Sequence, residues 1–251
     1  PVVTGSSITT HGYVGGYDDG TFRPDCLLTR AEVAALLSRI DSNFDETMPY
    51  EVYGQSFGDV VSGSWYDKYI GYLADKGIIT GYEDGNYHPN QFITRMEFAV
   101  LISRYVENTG INLKDIDADA DGSTDKNAVS GNVKNTALNA LVASAAVSYV
   151  FSFADIAVPL SDISGLWGET QIIGLADAGV ISGYEDGTFR PDNFVTRAET
   201  ITMLNRMLGL AITDDISKYI DRQVNMFSDL SAEHWAYYDI MLAVKGYVIS
   251  K

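Results

Sequence analysis

Apolar side chains recur every three or four residues after Thr29 and after Thr94, which is the spacing of one face of an α-helix. A glutamate follows each threonine by three residues, and the same pair occurs at Thr196 and Glu199. This pair is a capping box, in which both side chains bond free backbone N–H groups at a helix start. The pattern therefore predicts three capped helices. The apolar positions of the first two are Val33, Leu36, Leu37 and Ile40, and Phe98, Leu101, Ile102 and Tyr105.

A second set of helical patterns begins at the three tryptophans. From Trp65 the apolar positions recur until the chain reaches Gly77, and glycine is a good helix terminator. Short β-branched stretches follow the first two of these helices and predict short strands. The other two helical patterns begin at Trp167 and Trp235, and the predicted strands are residues 78–80 and 180–182.

A phrase of the form Gly-Tyr-acidic-Asp-Gly, ending in a proline, occurs at residues 16–24, 81–89 and 183–191. Glycine and aspartate favour a tight turn, and the proline blocks a helix and requires an extended segment. One unit thus contains a helix, a short strand, an acidic turn, an extended segment and a capped helix. Such a unit cannot bury both helices alone, so it must pack on its neighbours. The predicted fold is mainly α, with three pseudo-symmetric repeats packed around a central helical bundle.

The repeats are not in simple order along the chain. The chain opens on the second half of a unit, residues 1–45, and closes on a first half, residues 225–251. We predict that these halves complete one another as a split repeat; the alternative is that the chain is cut from a longer array. The complete repeats are residues 55–108 and 153–210, separated by an insert at 109–152.

The insert contains an acidic stretch and an apolar stretch. The acidic stretch matches the start of a calcium-binding EF-hand loop, but Ala128 stands at the twelfth position, where a glutamate is expected. A weak Ca²⁺ site and a solvated acidic loop are the two interpretations. The apolar stretch, residues 137–157, is rich in alanine and contains polar residues, which favours a buried helix over a membrane span. The candidate calcium ligands are Asp117, Asp119, Asp121 and Asp125.

The charge of the chain narrows the range of partners. With 34 acidic and 17 basic residues the formal charge is −17. A nucleic-acid partner is not expected, because phosphate neutralisation needs a basic surface. An excess of acid suits an extracellular or cell-wall environment.

No constellation of residues predicts an enzyme. The three histidines, His11, His88 and His234, have no metal-ligand spacing. The single cysteine, Cys26, has no evident base, and we interpret it as a small buried residue rather than a reactive thiol.

The combined pattern of the complete repeat at residues 55–108 resembles the S-layer homology domain. The residues that carry this resemblance are Phe-Gly-Asp at 57–59, Trp65, the turn phrase at 81–85, Pro89 and Ile-Thr-Arg-Met-Glu at 93–97. The three copies cover most of the chain outside the insert. The resemblance implies a compact pseudo-threefold assembly of three units. It also implies noncovalent anchoring to the bacterial cell envelope, by binding a pyruvylated secondary cell-wall polysaccharide in grooves between units.

The arginines of the capped helices are the first candidates for ligand contact. Arg30, Arg95 and Arg197 stand in the first helical turn, where the helix dipole disfavours a positive charge. Free N–H groups and a guanidinium together would make a two-pronged site for a carboxylate, such as the pyruvate group of the family's ligand. The alternative is that each arginine pairs with an acid of the neighbouring unit.

Three further sets of residues are candidates by the same resemblance. The tryptophans would stack on sugar faces or pack at unit interfaces. The aspartates would hydrogen-bond sugar hydroxyls or cap a helix, and the glycines would admit a ligand close to the backbone or simply serve the turn. The sets are Trp65, Trp167 and Trp235; Asp59, Asp162 and Asp229; and Gly16, Gly81 and Gly183.

The sequence thus predicts a secreted, non-catalytic module that anchors a surface protein to the cell wall or S-layer. The expected partner is a cell-wall polysaccharide, with peptidoglycan as a second candidate, and no nucleic acid or membrane span is expected. Two alternatives stay open: a protein–protein interaction module in surface-layer assembly, and, less favoured, a carbohydrate-active enzyme that uses paired carboxylates.

Overall fold

The structure is a computed structural model that describes residues 7–9, 12–49, 57–111, 113, 160–210, 226–245 and 248–250. The predicted mainly helical fold is confirmed in these residues. The acidic stretch and the apolar stretch of the insert lie outside them, so the calcium and buried-helix predictions are not addressed. The helices are α1 (Arg30–Ile40), α2 (Asp67–Asp75), α3 (Arg95–Thr109), α4 (Glu169–Asp177), α5 (Arg197–Met207) and α6 (Tyr237–Lys245).

The chain divides into two compact units. The first comprises Pro1–Ile93, Phe194–Asn205 and Ala211–Lys251, and the second comprises Thr94–Asn193 and Arg206–Leu210. Helices α1 and α2 pack together in the first unit, and helices α3 and α4 pack together in the second. In the described part of the chain, no helix has the length and apolar composition needed to cross a membrane.

The three capping boxes are confirmed. At the start of α3, Thr94 N donates to the Glu97 carboxylate at 2.9 Å, and Glu97 N donates to Thr94 Oγ1 at 3.2 Å. The same reciprocal pair begins α1 and α5. The phrase Thr-Arg-x-Glu therefore sets the first residue of each of these helices.

The short strands predicted at residues 78–80 and 180–182 are wrong. At the end of α2 the chain leaves the helix through Gly77, whose φ is +70°. The next two N–H groups, of Ile78 and Ile79, both donate to Leu73 O, at 2.9 and 3.2 Å. These bonds close the helix end and leave no ladder for a strand, so the two isoleucines serve the core, at 0 and 3% exposure.

The extended segments before the capped helices meet in the first unit. Leu28 N donates to Val195 O, Val195 N to Ile93 O, and Ile93 N to Leu28 O, at 3.1 to 3.2 Å. These three residues are fully buried, at 0 to 1% exposure. The cycle of hydrogen bonds satisfies backbone groups that burial would otherwise leave unpaired.

The two ends of the chain contact one another in the first unit. Strand β1 (Ser7–Thr9) pairs antiparallel with strand β2 (Val248–Ser250), with Ser7 opposite Ser250. Tyr13 N donates to Ala243 O at 3.0 Å. Contacts of this kind are expected if the terminal halves form one repeat, although the division of the chain into repeats stays a prediction.

Candidate functional site

A groove of about 400 Å³ lies in the first unit, along the face of α1 that carries Glu32, Leu36 and Arg39. It gathers three of the predicted site residues, Arg197, Trp65 and Gly16. Its wall also includes two aromatic or charged residues that the sequence did not single out, Tyr17 and Arg39. The lining residues are Val14, Gly15, Gly16, Tyr17, Glu32, Ala35, Leu36, Arg39, Trp65 and Arg197.

Arg197 is the buried cation of this groove, with only 8% of its surface exposed. Its Nη2 donates to Gly15 O at 2.6 Å, and its Nε is buried without a hydrogen-bond partner among the described residues. The guanidinium carbon lies 4.6 Å from the Phe22 ring centroid and 5.4 Å from that of Tyr17. Burial lowers the pKa of Arg197 from its ordinary value, but arginine stays protonated at neutral pH. The groove therefore contains a positive charge with a spare donor.

Arg30 and Arg95 occupy the same helix position but make a different bond. Their Nε groups donate to Tyr87 O and Phe189 O, each at 2.8 Å. Their guanidinium groups also stack on aromatic rings, with Arg30 over Tyr87 at 4.5 Å and Arg95 over Phe189 at 4.7 Å. Each arginine thus ties its helix to the turn of another copy. The predicted alternative, an ion pair with an acid, is wrong for Arg197, whose partners among the described residues are a carbonyl oxygen and rings.

The predicted role of the helix-start N–H groups is also wrong. In α1, Arg30 N donates to Gln91 O at 2.8 Å and Ala31 N donates to Pro89 O at 2.9 Å. The next N–H, of Glu32, donates to Thr29 Oγ1. Helices α3 and α5 begin with the same bonds to backbone carbonyls. Because these donors are already paired within the protein, they do not form a carboxylate site with the arginine.

The tryptophans are exposed. Trp65, Trp167 and Trp235 have 53, 62 and 61% of their surface accessible, so packing in the core is not their role. Of the three, Trp65 lines the groove, where its ring meets Tyr66 edge-on at 5.4 Å and lies 6.4 Å from Tyr69. An exposed ring of this kind offers a flat face for a sugar.

The three aspartates hold the acidic turns. The two oxygens of Asp59 accept hydrogen bonds from Tyr87 N and His88 N, both at 2.8 Å. His88 has a φ of +57°, an uncommon conformation for a residue with a side chain, and the carboxylate stabilises it. The alternative of a helix cap is wrong for Asp59, since α2 has no side-chain cap. Asp162 and Asp229 make the same pair of bonds, to Phe189 N and Arg190 N, and to Phe22 N and Arg23 N.

The three glycines make room for a side chain packed beneath the turn. A Cβ on Gly81 would lie 2.5 Å from the Phe57 ring, and Gly81 has a φ of +67°. Gly16 and Gly183 are crowded in the same way, by Phe227 and Leu160. This packing explains all three glycines without a ligand, and Gly16 alone of the three lines the groove.

Arg39 is the charged one of the two groove residues that sequence reasoning missed. Its Nη2 forms an ion pair with Glu46 at 2.9 Å and donates to Tyr69 Oη at 3.0 Å. A signal was present in the sequence, because Arg104 and Arg206 stand at the same distance, nine residues, from the arginine that begins their helices. Cys26, interpreted as a buried residue, is exposed.

Metal binding gains no support within the described residues, where no group of three or more His, Cys, Asp or Glu side chains could hold an ion. Asp117, Asp119, Asp121 and Asp125 lie outside those residues.

Comparison with known proteins identifies the repeated unit. The sequence profile of the S-layer homology domain matches residues 7–34, 56–99 and 159–201. The chain carries S-layer homology domains. Each of the three matched segments ends inside a helix that begins with a capping box. The family pattern therefore includes the acidic turns and the arginines described above.

Three relatives of these S-layer homology domains are surface or anchoring proteins by name. Cell surface glycoprotein 1 of Acetivibrio thermocellus is 29% identical over 91% of the chain, and the cellulosome-anchoring protein of the same organism is 27% identical over 91%. An S-layer protein of Bacillus anthracis is 27% identical over 83%. The chain spans 8, 41 and 17% of the lengths of these relatives. The extracellular, cell-wall or S-layer location predicted from the sequence agrees with all three.

Proposed function

We propose that the S-layer homology domains of this chain anchor a surface protein noncovalently to the bacterial cell envelope by binding a cell-wall polysaccharide. The names of the relatives support anchoring at the cell surface. The observation that carries a direct role in binding is the groove of the first unit, where the buried Arg197 guanidinium keeps a donor without a partner.

Arg197 supplies the attraction for an acidic group on the polymer. A buried donor without an acceptor is costly, and a ligand oxygen that reaches it removes that cost. A guanidinium held by a carbonyl and two rings also loses little freedom on binding. Because the chain carries a formal charge of −17, an anion is attracted only where such a local cation is presented. A carboxylate on a sugar fits this site, and the pyruvate group of a pyruvylated sugar is the carboxylate that we propose.

Trp65 and Tyr17 supply a surface for the sugar rings. Both line the groove, and Trp65 is more than half exposed. Aromatic faces pack against the apolar face of a sugar ring, while the hydroxyl groups of the sugar bond to polar neighbours. The proposal is therefore a non-catalytic site, in which recognition needs one anionic contact and one stacking contact.

The three arginines divide their duties in this proposal. Arg30 and Arg95 mainly stabilise the fold, because their Nε groups donate to turn carbonyls. Arg197 contributes to binding, because it lines the groove and its buried Nε has no hydrogen-bond partner among the described residues. Substituting Arg197 by Gln should therefore lower binding more than stability, and the reverse should hold for Arg95→Gln.

Sedimentation with purified cell-wall sacculi tests the proposal. The wild-type protein should sediment with sacculi that carry the accessory polysaccharide and stay in solution once that polysaccharide is stripped. The Arg197→Gln and Trp65→Ala variants should sediment at least about tenfold less at subsaturating sacculi, a loss of about 1.4 kcal/mol. Arg190→Gln is the matched control, since Arg190 is an exposed arginine of the second unit.

Three results would count against the proposal. Equal sedimentation before and after stripping would indicate peptidoglycan or a protein partner. Undiminished sedimentation of the Arg197→Gln and Trp65→Ala variants would show that the groove does not bind the polysaccharide. Hydrolysis of the polysaccharide by the wild-type protein would favour the enzyme alternative.

A further inference from the structure

The loop that follows α1, residues 41–49, fastens the end of α1 to α2 in the first unit. Its central contact is Glu46, whose Oε1 accepts bonds from the Arg39 guanidinium and from the Tyr69 hydroxyl. Lys68 Nζ donates to the backbone oxygen of Glu46 at 2.6 Å. Glu46 therefore joins an arginine of α1 to two residues of α2.

Both side chains held by Glu46 connect it to the groove wall. Arg39 is itself part of the groove wall, while Tyr69 contacts Trp65 at 6.4 Å between ring centroids. Within the part of the chain that the structure describes, the hydrogen bonds of Arg39 use Nε and Nη2, which leaves Nη1 for a ligand. Arg39 also lies over the Tyr69 ring, at 5.3 Å from the centroid.

The charges of this cluster are mutually dependent. The Tyr69 hydroxyl and the Arg39 guanidinium lower the pKa of Glu46, so it is ionised at neutral pH. Burial and the Glu46 carboxylate raise the pKa of Tyr69 to about 12, so the phenol keeps its proton and donates. The half-exposed ion pair alone adds little to stability, since exposed pairs are screened by water. A set of three bonds on one carboxylate oxygen instead fixes where the partners lie.

We propose that Glu46 is a positioning residue for the groove. It holds Arg39 directly and Trp65 through Tyr69, so that Arg39 and Trp65 contact the same polysaccharide. The inference rests on the proposed function. It assigns Arg39 the second polar contact with the sugar, separate from the anionic contact at Arg197. The loop thus supports the groove wall at Arg39 and Trp65, although no residue of the loop is among the lining residues.

Binding by Glu46 variants tests this inference, with sacculi that carry the accessory polysaccharide as the probe. Glu46→Ala should lower the affinity about fivefold, whereas Glu46→Gln, which retains an acceptor oxygen for Arg39 and Tyr69, should lower it less than twofold. Glu185→Ala is the matched control, because Glu185 is exposed in the second unit and its loss changes the net charge equally. Arg39→Gln should lower affinity by a similar factor, and the double variant Glu46→Ala with Arg39→Gln by little more.

A fluorescence measurement separates positioning from a loss of folding. In a background in which Trp167 and Trp235 are replaced by Phe, the emission of Trp65 reports its surroundings. Glu46→Ala should increase quenching of Trp65 by acrylamide while the thermal midpoint changes by only a few degrees.

Each outcome supports or overturns the inference. It is wrong if Glu46→Ala binds like the wild-type protein while Arg197→Gln does not, a result that leaves the proposed function intact. It is also wrong if the loss of affinity in Glu46→Ala is fully explained by a smaller fraction of folded protein. The same holds if Glu46→Gln binds as weakly as Glu46→Ala. If the wild-type protein does not bind the sacculi, the proposed function fails and this inference fails with it.

Discussion

The guanidinium groups of Arg30, Arg95 and Arg197 share one position in the repeated phrase but not one set of contacts. The sequence predicted that the arginine of the repeated phrase has a role beyond helix capping. It did not reveal that Arg30 and Arg95 donate Nε to backbone carbonyls of the acidic turns. That bond depends on the backbone of a distant segment, 57 residues away for Arg30 and 94 for Arg95. Residue identity alone carries no information about such a partner.

The aspartates and glycines illustrate the same limit. The spacing of Asp59 before Trp65 suggested a cap or a sugar contact, yet both carboxylate oxygens bond the turn at residues 87 and 88. The three glycines were assigned either to the turn or to a ligand, and the packed side chains beneath them favour the turn. The repeated aspartates and glycines of this chain thus mainly stabilise the structure of each turn.

Substitution of Gly81 by Ala tests this packing at the residue scale. A Cβ on Gly81 would overlap the Phe57 ring, and the φ of +67° adds strain, so we expect about 2–4 kcal/mol lower free energy of unfolding. Gly85 is the matched control, with a φ of +79° and open space around its Cβ position. Gly85→Ala should cost about 1 kcal/mol, from strain alone. Equal losses for the two variants in urea unfolding would contradict the packing account.

The capped helices were the elements most fully predicted from sequence, because a capping box is a local signal. Thr29, Thr94 and Thr196 each begin a helix where the phrase placed it. The short strands were predicted wrongly for a related reason: β-branched residues such as Ile78 and Ile79 favour a strand, but strands also need a partner, which local sequence does not reveal. In the structure their side chains fill the core instead.

The acidic turns predict a specific response to pH. In two of them an arginine forms an ion pair with an aspartate, Arg23 with Asp19 at 2.8 Å and Arg190 with Asp186 at 3.0 Å. Hydrogen bonds from the following threonine, and then from the arginine, lower the pKa of both aspartates from 3.8 to about 2. Because the folded-state pKa is the lower one, the stabilisation is present above about pH 4 and is lost as the pH falls towards 2.

Thermal unfolding between pH 5 and pH 2 measures this response. The midpoint of the wild-type protein should fall on acidification, and the double variant Asp19→Asn with Asp186→Asn should show a smaller fall. The comparison is between the two proteins, since other carboxylates also become protonated in this range. Parallel curves for the two proteins would show that these turns do not contribute.

The association of the two chain ends is the main feature at the scale of the whole molecule. The order of the half units predicted it, because residues 1–45 lack a first half and residues 225–251 supply one. The structure adds the contacts: Asp229 accepts from Phe22 N and Arg23 N, and Phe227 packs on Phe22 at 5.0 Å. The exposed positions of the tryptophans and the groove itself could not be predicted, since they depend on how whole segments pack.

Removal of residues 226–251 tests this association. The truncated protein should lose the support of the first turn and the packing beneath Gly16, so its urea midpoint should fall and its unfolding should become less cooperative. Asp229→Ala, which removes only the two turn bonds, should lower the midpoint less. A truncated protein that unfolds at the wild-type urea concentration would contradict the split repeat.

Anchoring through the groove of Arg197 and Trp65 is tested most directly by calorimetric titration with polysaccharide released from the cell wall. The account predicts saturable binding by the wild-type protein, affinity at least about tenfold weaker for Arg197→Gln, and wild-type affinity for Arg190→Gln. Equal affinity of the wild-type protein and the Arg197→Gln variant, with both folded, would contradict it.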